Sequence, residues 1–203
     1  MKALLLIDIQ NDFLPGGALA VRQGDEVVRV ANRLARTYDH VVATQDWHPA
    51  DHMSFASQHP DHKVGDVIRV DGLDQVLWPD HCIQGTPGAE FPRELDQSRV
   101  EHVINKGTDP TIDSYSGFFD NARRKSTGLA DYLRGRGIDE IHIAGLATDY
   151  CVKFTAIDGV DLGFKVVVLS EAVRGVERSP GDCRTAVADM QAAGVTIDAD
   201  GWE

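Results

Sequence analysis

Short runs of aliphatic and β-branched residues recur along this chain, and most are separated by segments with helical periodicity. The runs that predict strands are residues 2–9, 40–45, 100–106, 140–145, 165–170 and 194–198. Helical signals cover a stripe from Val27 to Tyr38 and about residues 128–136, 150–162 and 180–193. Strands and helices in alternation are typical of a parallel sheet with helices on both faces. We therefore predict a six-stranded, mainly parallel α/β fold of the Rossmann-like, doubly wound type.

The stretch from residue 49 to residue 92 interrupts this rhythm. It is rich in His, Asp, Pro and Gly and shows little periodicity. A loop of that length inside a compact domain is usually functional. Because the 203 residues contain no internal repeat, low-complexity tract or linker, we expect one domain over residues 1–203.

The acidic balance of the chain argues against polyanionic partners. It has 20 basic and 32 acidic residues, a formal charge of -12, and no basic cluster longer than residues 123–125. Such a surface is a poor partner for nucleic acid or anionic membranes. The apolar run near the start contains Asp8 and lacks a cleavage pattern, so neither a signal peptide nor a membrane span is expected. Three widely spaced cysteines favour free thiols in a reducing compartment, which predicts a cytoplasmic protein.

Four reactive groups fall at the ends of predicted strands. Asp8 ends the first strand, and Asp46 follows the second. Lys106 ends the third strand, and Cys151 follows the fourth at the predicted start of a helix. In open α/β sheets the ligand crevice lies beyond the carboxyl ends of the strands. We therefore expect these residues to converge at one edge of the sheet.

Cys151 is the candidate nucleophile of this group. A cysteine attacks as its thiolate, and the amino-terminus of a helix favours that anion through unpaired N–H groups. The alternative is an inert buried cysteine, which is a common role for free thiols. Asp8 interrupts an otherwise apolar strand and needs a partner, which Lys106 can supply. That pair is either part of a catalytic site or a structural ion pair.

A second group of residues indicates a metal site. Its members are Asp46, His48, His52 and His81. One carboxylate with several imidazoles suits a divalent transition metal that keeps positions open for water or substrate. Lone histidines are more often surface or core residues, and this chain has eight. His59 and His62 lie in the same irregular stretch, and spacing does not exclude them as ligands.

Read together, the motifs at these strand ends resemble those of one protein family. They are Asp8-Ile9-Gln10-Asn11-Asp12-Phe13, Asp46-Trp47-His48, the run from Trp78 to Thr86, Lys106-Gly107, Tyr115-Ser116-Gly117-Phe118 and the run from Gly145 to Val152. In this order they resemble the nicotinamidase/pyrazinamidase branch of the isochorismatase-like hydrolases. The resemblance spans nearly the whole chain, and it implies the isochorismatase-like form of the predicted fold.

The resemblance implies a role for each matching position. Cys151 would be the nucleophile, Asp8 the proton-transfer partner and Lys106 the third member of a catalytic triad. The metal ligands would be Asp46, His48, His52 and His81. A cis peptide is implied between Leu146 and Ala147, with the N–H groups of Ala147 and Cys151 forming an oxyanion hole. An aromatic substrate pocket would be lined by Phe13, Trp78 and Tyr115.

The function implied by the resemblance is hydrolysis of a small amide. Nicotinamide would be converted to nicotinic acid and ammonia through a thioester, and pyrazinamide is expected as a further substrate. One divalent metal per chain would face the ring nitrogen of the substrate; zinc is the first expectation, and iron and manganese also suit the ligands. The rivals are an isochorismatase-like hydrolase of a different small amide and a non-catalytic metal-binding protein of the same fold. The sequence does not fix the oligomeric state.

Overall fold

The computed structural model describes residues 1–198, and a sheet of parallel strands lies at its centre. The strands in chain order are β1 (Lys2–Ile7), β2 (His40–Asp46), β3 (Val67–Val70), β4 (Leu73–Val76), β5 (His102–Lys106), β6 (Glu140–Leu146), β7 (Lys165–Arg174) and β8 (Thr196–Asp198). Six of them form the main sheet in the order β5-β2-β1-β6-β7-β8, with every neighbouring pair parallel. The predicted six-stranded α/β fold is confirmed.

Helices cover both faces of this sheet. They are α1 (Gly24–Ala35), α2 (Leu129–Gly135), α3 (Lys153–Asp161) and α4 (Asp182–Ala192). Short 3₁₀ turns span Asn11–Phe13, Ala56–Gln58, Pro87–Ala89 and Gln97–Arg99, and a π turn spans Thr148–Val152. None of the helices among the described residues has the length and apolar character needed to cross a membrane.

The side chains of β1 alternate between two hydrophobic layers, as the period of two in a strand requires. Leu5 and Ile7 point into the layer that contains residues of α2, α3 and α4. Leu4 and Leu6 point into the opposite layer, which contains the buried stripe of α1. Because both faces are covered, β1 is apolar at successive positions, which is the pattern of a central parallel strand.

The strand order reverses beside β1. From β1 the chain continues to β2 on one side, and it later returns to place β6 on the other side. A crevice opens at such a switch point, beyond the carboxyl ends of the two strands. Asp8 directly follows β1, and Cys151 lies shortly after β6. The topology therefore places both residues at the mouth of the crevice.

The irregular stretch contains a small element of regular structure that its periodicity does not predict. β3 and β4 pair as a small antiparallel hairpin. The chain reverses at Asp71 and Gly72, which both have positive φ (51° and 84°). An Asp-Gly pair with both residues in this region is the favoured two-residue hairpin turn. The strands are four residues each and mostly only half-buried, so they lack the long apolar alternation by which strands are found.

Candidate active site

Asp8, Asp46, Lys106 and Cys151 meet at the carboxyl edge of the sheet. Asp46 and Lys106 are partners in the register of β2 and β5, so both side chains emerge at the same level. Oxygens of Asp8 and Asp46 and the sulfur of Cys151 all lie within 4.8 Å of one another. All four side chains are buried. The convergence expected from the strand ends is therefore present.

The ammonium of Lys106 joins this group together. It donates hydrogen bonds to Asp46 Oδ1 (2.5 Å), to the Ser114 carbonyl (2.9 Å) and to Cys151 Sγ (3.4 Å). Asp8 Oδ2 lies 2.9 Å from the same nitrogen, in charge contact but outside hydrogen-bond geometry. An ammonium has three hydrogens, and these three acceptors use them all. Asp8 Oδ2 is thus left with an adjacent positive charge and with room to accept a proton.

The other oxygen of Asp8 is fixed by a neighbouring strand. The Thr44 hydroxyl on β2 donates to Asp8 Oδ1 at 2.6 Å and accepts from the Asp8 N–H at 3.2 Å. Asp8 itself has a positive φ of 47°, which is uncommon for a residue with a side chain. The pair of bonds to Thr44 holds the carboxylate in one orientation, with Oδ2 toward Lys106.

Burial and charge set the protonation of the three groups in different ways. Burial raises the pKa of Asp8, and Lys106 only partly opposes it. Burial lowers the pKa of Lys106, but Asp46 and Asp8 raise it by more, and it ends well above its usual value. Burial also raises the pKa of the Cys151 thiol well above normal, against the lowering effect of Lys106. The resting site thus contains a protonated thiol, a charged lysine and a carboxyl group whose affinity for protons is increased.

The position of Cys151 differs in one respect from expectation. It lies in the π turn Thr148–Val152, which leads directly into α3, so the predicted helix start is present. A helix start by itself favours the thiolate. In the folded protein burial outweighs that effect, because the side chain is only slightly exposed and two carboxylates lie nearby. A base is therefore needed to activate this cysteine.

The other carboxylate oxygen of Asp46 faces two histidines, His48 and His81. Asp46 Oδ2 lies 3.7 Å from His48 Nε2 and 3.9 Å from His81 Nε2. His48 Nδ1 bonds to the Gly107 carbonyl (2.9 Å) and His81 Nδ1 to the Pro79 carbonyl (2.8 Å). A carbonyl can only accept, so each ring carries its proton on Nδ1 and presents a lone pair on Nε2. Two such imidazoles and one carboxylate oxygen fit a divalent transition metal.

Gly107 makes the approach of His48 possible. It has a φ of +61°, and a Cβ at this position would lie 2.3 Å from the His48 ring. The ring can therefore lie against the backbone and reach the carbonyl only because the residue is glycine. This explains why the Lys106-Gly107 pair ends β5 in this chain.

The structure places the remaining histidines of the irregular stretch differently. The His52 ring lies against that of His48, with centroids 4.2 Å apart and the planes tilted by 34°, but His52 belongs to a neighbouring trio with His48 and Asp113. Its nitrogens contact Ser54 Oγ (2.7 Å) and the Ile112 carbonyl (3.3 Å). The rival ligands lie elsewhere: His59 bonds to the Met53 carbonyl, and the half-exposed His62 faces Asp66. Neither rival joins a candidate metal group among residues 1–198.

Two residues of the Asp8 motif position the metal-side residues, a role that the sequence analysis did not assign. Gln10 accepts from the Asp46 N–H and donates to the Asp46 carbonyl, both at 2.8 Å. Asp12 accepts from the Cys82 N–H at 2.7 Å, next to His81. Both residues are polar positions after an apolar strand, which was a visible signal. Their partners are distant in sequence, so the contacts themselves were not predictable.

A cavity adjoins both groups. Its lining contains the three aromatic residues predicted for the substrate pocket, together with Leu19, Tyr150 and Val176, which were not predicted. The Trp78 indole donates to the Tyr115 hydroxyl at 3.2 Å, and both rings contact Tyr150 edge-on. The aromatic walls of this cavity suit a flat ring.

The wall beside Cys151 contains the expected oxyanion segment. The peptide between Leu146 and Ala147 is cis, as the family resemblance implied. Ala147 and Cys151 both line the cavity. The Ala147 carbonyl accepts from the Tyr150 and Val152 N–H groups, which closes the turn around the cysteine. A buried cysteine beside a carboxylate and an ammonium, next to a cavity at the edge of a doubly wound sheet, is the arrangement expected of a cysteine hydrolase.

Comparisons with known proteins narrow this class to one family. The sequence model of the Isochorismatase domain matches residues 2–200. The nicotinamidase of Escherichia coli (strain K12) is 51% identical over 202 residues, which are 97% of this chain and 93% of that protein. The chain belongs to the isochorismatase family.

Solved structures give the same result. The Acinetobacter baumanii nicotinamidase/pyrazinamidase matches with a TM-score of 0.94 at 44% identity, covering 97% of this chain and 94% of that one. The pyrazinamidase of Pyrococcus horikoshii in complex with zinc matches with a TM-score of 0.79 at 38% identity, covering 97% and 98%. The isochorismatase-like form of the fold is therefore confirmed.

Proposed function

We propose that this chain hydrolyses nicotinamide to nicotinic acid and ammonia, with Cys151 as nucleophile, in a single domain spanning residues 1–203. The proposal rests above all on the buried contact of Lys106 with both Cys151 and Asp8 beside the cavity. These are the groups that acyl transfer from an amide to cysteine requires. The similarity to the E. coli nicotinamidase supports nicotinamide as the substrate. Pyrazinamide, which has one more ring nitrogen, is a second expected substrate.

The first half of the proposed reaction forms a thioester. The Cys151 thiol gives its proton to Asp8 Oδ2 as the sulfur bonds to the amide carbon. The N–H groups of Ala147 and Cys151 stabilise the negative charge that develops on the amide oxygen. The C–N bond then breaks, and Asp8 passes the proton to the departing nitrogen, which leaves as ammonia.

The second half releases the acid. Asp8 takes a proton from a water molecule while the water oxygen bonds to the thioester carbon. The C–S bond breaks, the sulfur recovers its proton from Asp8, and nicotinic acid leaves. Lys106 remains an ammonium throughout, because Asp46 and Asp8 hold its pKa well above the usual value despite its burial. Its role in this proposal is to position Asp8 and to balance the charges around it.

For the metal we propose Asp46, His48 and His81 as ligands, with His52 kept as an additional predicted ligand. The donor set of two imidazoles and a carboxylate supports zinc, iron or manganese. Zinc is the first candidate because the Pyrococcus horikoshii relative has been solved in complex with zinc. A bound ion of this kind would supply a Lewis acid that helps to orient the substrate.

We also propose that the protein works in the cytoplasm. All three of its cysteines are free. A nucleophilic thiol must stay reduced to act, and a reducing compartment maintains that state.

The test is ammonia release from nicotinamide by the purified protein, before and after chelation and with each metal restored. We expect turnover of nicotinamide and pyrazinamide that a chelator abolishes and one or more divalent metals restore. Ammonia release from a different small amide, with none from nicotinamide, would redirect the substrate assignment. A metal-replete protein that releases ammonia from no amide would support a non-catalytic role.

A further inference from the structure

A second trio of metal-binding side chains lies beside the first and is not used by the proposed reaction. It consists of His48, His52 and Asp113, which are all buried and have candidate ligand atoms within 4.8 Å of one another. Its donor types, two imidazoles and a carboxylate, are the same as those of Asp46, His48 and His81. His48 belongs to both trios.

The hydrogen bonds of His52 are compatible with metal binding. Its Nδ1 lies 2.7 Å from Ser54 Oγ, an outer partner of the kind that orients metal-bound histidines. Its Nε2 makes only a long contact of 3.3 Å with the Ile112 carbonyl. The Ser54 N–H donates to Nδ1 at 3.4 Å, so in this arrangement Nε2 carries the ring proton and donates it to the carbonyl. To bind an ion through Nε2, His52 would move that proton to Nδ1, where Ser54 Oγ can accept it, and give up the contact with the Ile112 carbonyl.

The two carboxylates differ in their charge environment. Asp46 has the ammonium of Lys106 on Oδ1, so much of its negative charge is already balanced. Asp113 accepts from two neutral donors, the Ser114 N–H at 2.7 Å and Gln75 Nε2 at 3.1 Å. A buried carboxylate without a cationic partner is costly, and a bound cation would relieve that cost. Within residues 1–198 Asp113 thus has no Lys or Arg partner, and it lies next to two imidazoles.

We propose that His48, His52 and Asp113 form a second, alternative position for a divalent transition metal. His48 Nδ1 is occupied by the Gly107 carbonyl, so only Nε2 can bind an ion in either trio. One nitrogen lone pair binds one ion, and the two positions therefore exclude each other. The chain holds one ion, which can occupy either trio. Because Asp46, His81 and Asp113 all line the cavity, each position presents the ion at a different point of its wall.

A double-mutant cycle on metal affinity tests this proposal. The probe is Co²⁺, followed by its visible absorption and by competition with a chelator, so the readout does not depend on activity. The inference rests on the proposed metal site, but a protein that binds Co²⁺ without hydrolysing amides would still test it. His81→Ala removes a ligand from the first trio only, and Asp113→Asn removes one from the second only.

We expect His81→Ala to bind Co²⁺ more weakly but measurably, with an altered spectrum, through the second trio. Adding Asp113→Asn to His81→Ala should reduce the Co²⁺ affinity by a further 100-fold or more. The substitution removes a direct ligand of the second trio, and loss of a mere hydrogen-bond partner of a ligand already costs up to about 100-fold. Asp113→Asn alone should change the Co²⁺ affinity of the first trio by less than about 10-fold, which is the smallest change typical of losing a hydrogen-bond partner of a ligand. Asp109→Asn is the matched control, because its carboxylate bonds only within its own loop.

Equal Co²⁺ affinity in His81→Ala and in the double variant would overturn the proposal. A second measurement covers the case in which these variants fail to fold. Crystals of the unaltered protein, soaked in excess Zn²⁺, should show anomalous scattering at two positions near His48 whose occupancies sum to about one. A single peak at Asp46, His48 and His81 under those conditions would exclude the second position.

Discussion

Two clusters of different construction adjoin the cavity and share one carboxylate; they are the thiol end and the histidine end of the site. The thiol end consists of Asp8, Lys106 and Cys151. The histidine end consists of His48, His52 and His81. Asp46 lies between them, with Oδ1 on the ammonium of Lys106 and Oδ2 facing His48 and His81.

The two ends are held in place by different parts of the fold. Lys106 is paired in the backbone ladder at the carboxyl edge of the sheet, and Asp8 directly follows Ile7, the last paired residue of β1. His52 and His81 belong to the irregular stretch, which is attached to the sheet through side chains such as Gln10 and Asp12. Substitutions at the thiol end should therefore remove chemistry and leave the loops in place. Substitutions at the histidine end should remove metal and loosen the loops together.

The largest expected effect is that of Cys151→Ala. It removes the attacking atom, so kcat should fall by about 10⁴-fold or more, as it does when nucleophiles are removed from other hydrolases. The fold should persist, because alanine fits where the thiol was. Steady-state ammonia release and circular dichroism measure the two properties. Cys183→Ala is the control and should be nearly silent; substantial activity in Cys151→Ala would exclude the thiol mechanism.

Asp8→Asn should lower kcat by about 10² to 10⁴-fold, the usual contribution of a general base. The same substitution should nevertheless increase the reactivity of the Cys151 thiol toward an alkylating reagent. The Asp8 carboxylate helps to raise the pKa of Cys151, so its loss leaves Lys106 to stabilise the thiolate. Iodoacetamide at neutral pH should therefore label Cys151 faster in this variant while turnover is lost. If turnover and labelling both stay at the wild-type level, Asp8 is not the base.

Lys106→Met should slow the labelling of Cys151 by iodoacetamide. The ammonium lowers the pKa of the Cys151 thiol, and the variant has no ammonium at this position. It also leaves the buried Asp8 and Asp46 without a counter-charge. Removing one partner of a buried ion pair typically costs about 3 to 5 kcal/mol of unfolding free energy. Urea unfolding measures that loss. If the variant is as stable as the original chain and Cys151 is labelled at the same rate, the Lys106 ammonium neither lowers the pKa of the thiol nor balances the buried carboxylates.

At the histidine end, His48→Ala should lower metal content and activity together. His48 belongs to both candidate trios, so its loss should be more severe than that of His81. The affinity should fall by more than the roughly 100-fold that loss of an outer partner costs. Elemental analysis and ammonia release on the same preparation test the pairing. His59→Ala and His62→Ala are the controls, and metal loss in either one would redirect the ligand assignment.

The smallest effect concerns the acid limb of the pH profile. Asp8 must be ionised to accept the thiol proton, so kcat/KM should fall as the pH drops through its pKa. Burial raises that pKa above the ordinary value of 3.8, so the fall should begin at a higher pH than an exposed aspartate would give. The profile of Asp8→Asn is the reference and should lack this limb. An acid limb that persists in the variant would assign it to another group.

Part of this site was predictable from sequence because the residues that end each strand can be read from short stretches of the chain. The carboxyl ends of parallel strands meet at one edge, so residues at those ends converge whatever lies between them. Asp8, Lys106 and Cys151 follow this rule. Gln10 and Asp113 do not, because their partners lie far along the chain and no periodicity connects them. The hairpin turn at Asp71 and Gly72 was visible but was outweighed by the short, weakly apolar strands around it.

The sequence by itself determined the alternation of strands and helices, the residues that end each strand and the motifs that resemble one family. These depend on periodicity and order, which are properties of neighbouring residues. Only the tertiary structure decided that Asp46 serves both ends of the site, that His52 belongs to a second trio with Asp113, and that Cys151 is a neutral thiol. Each of these depends on burial and on charges brought together from distant segments. Such effects arise only after water has been excluded from the folded site.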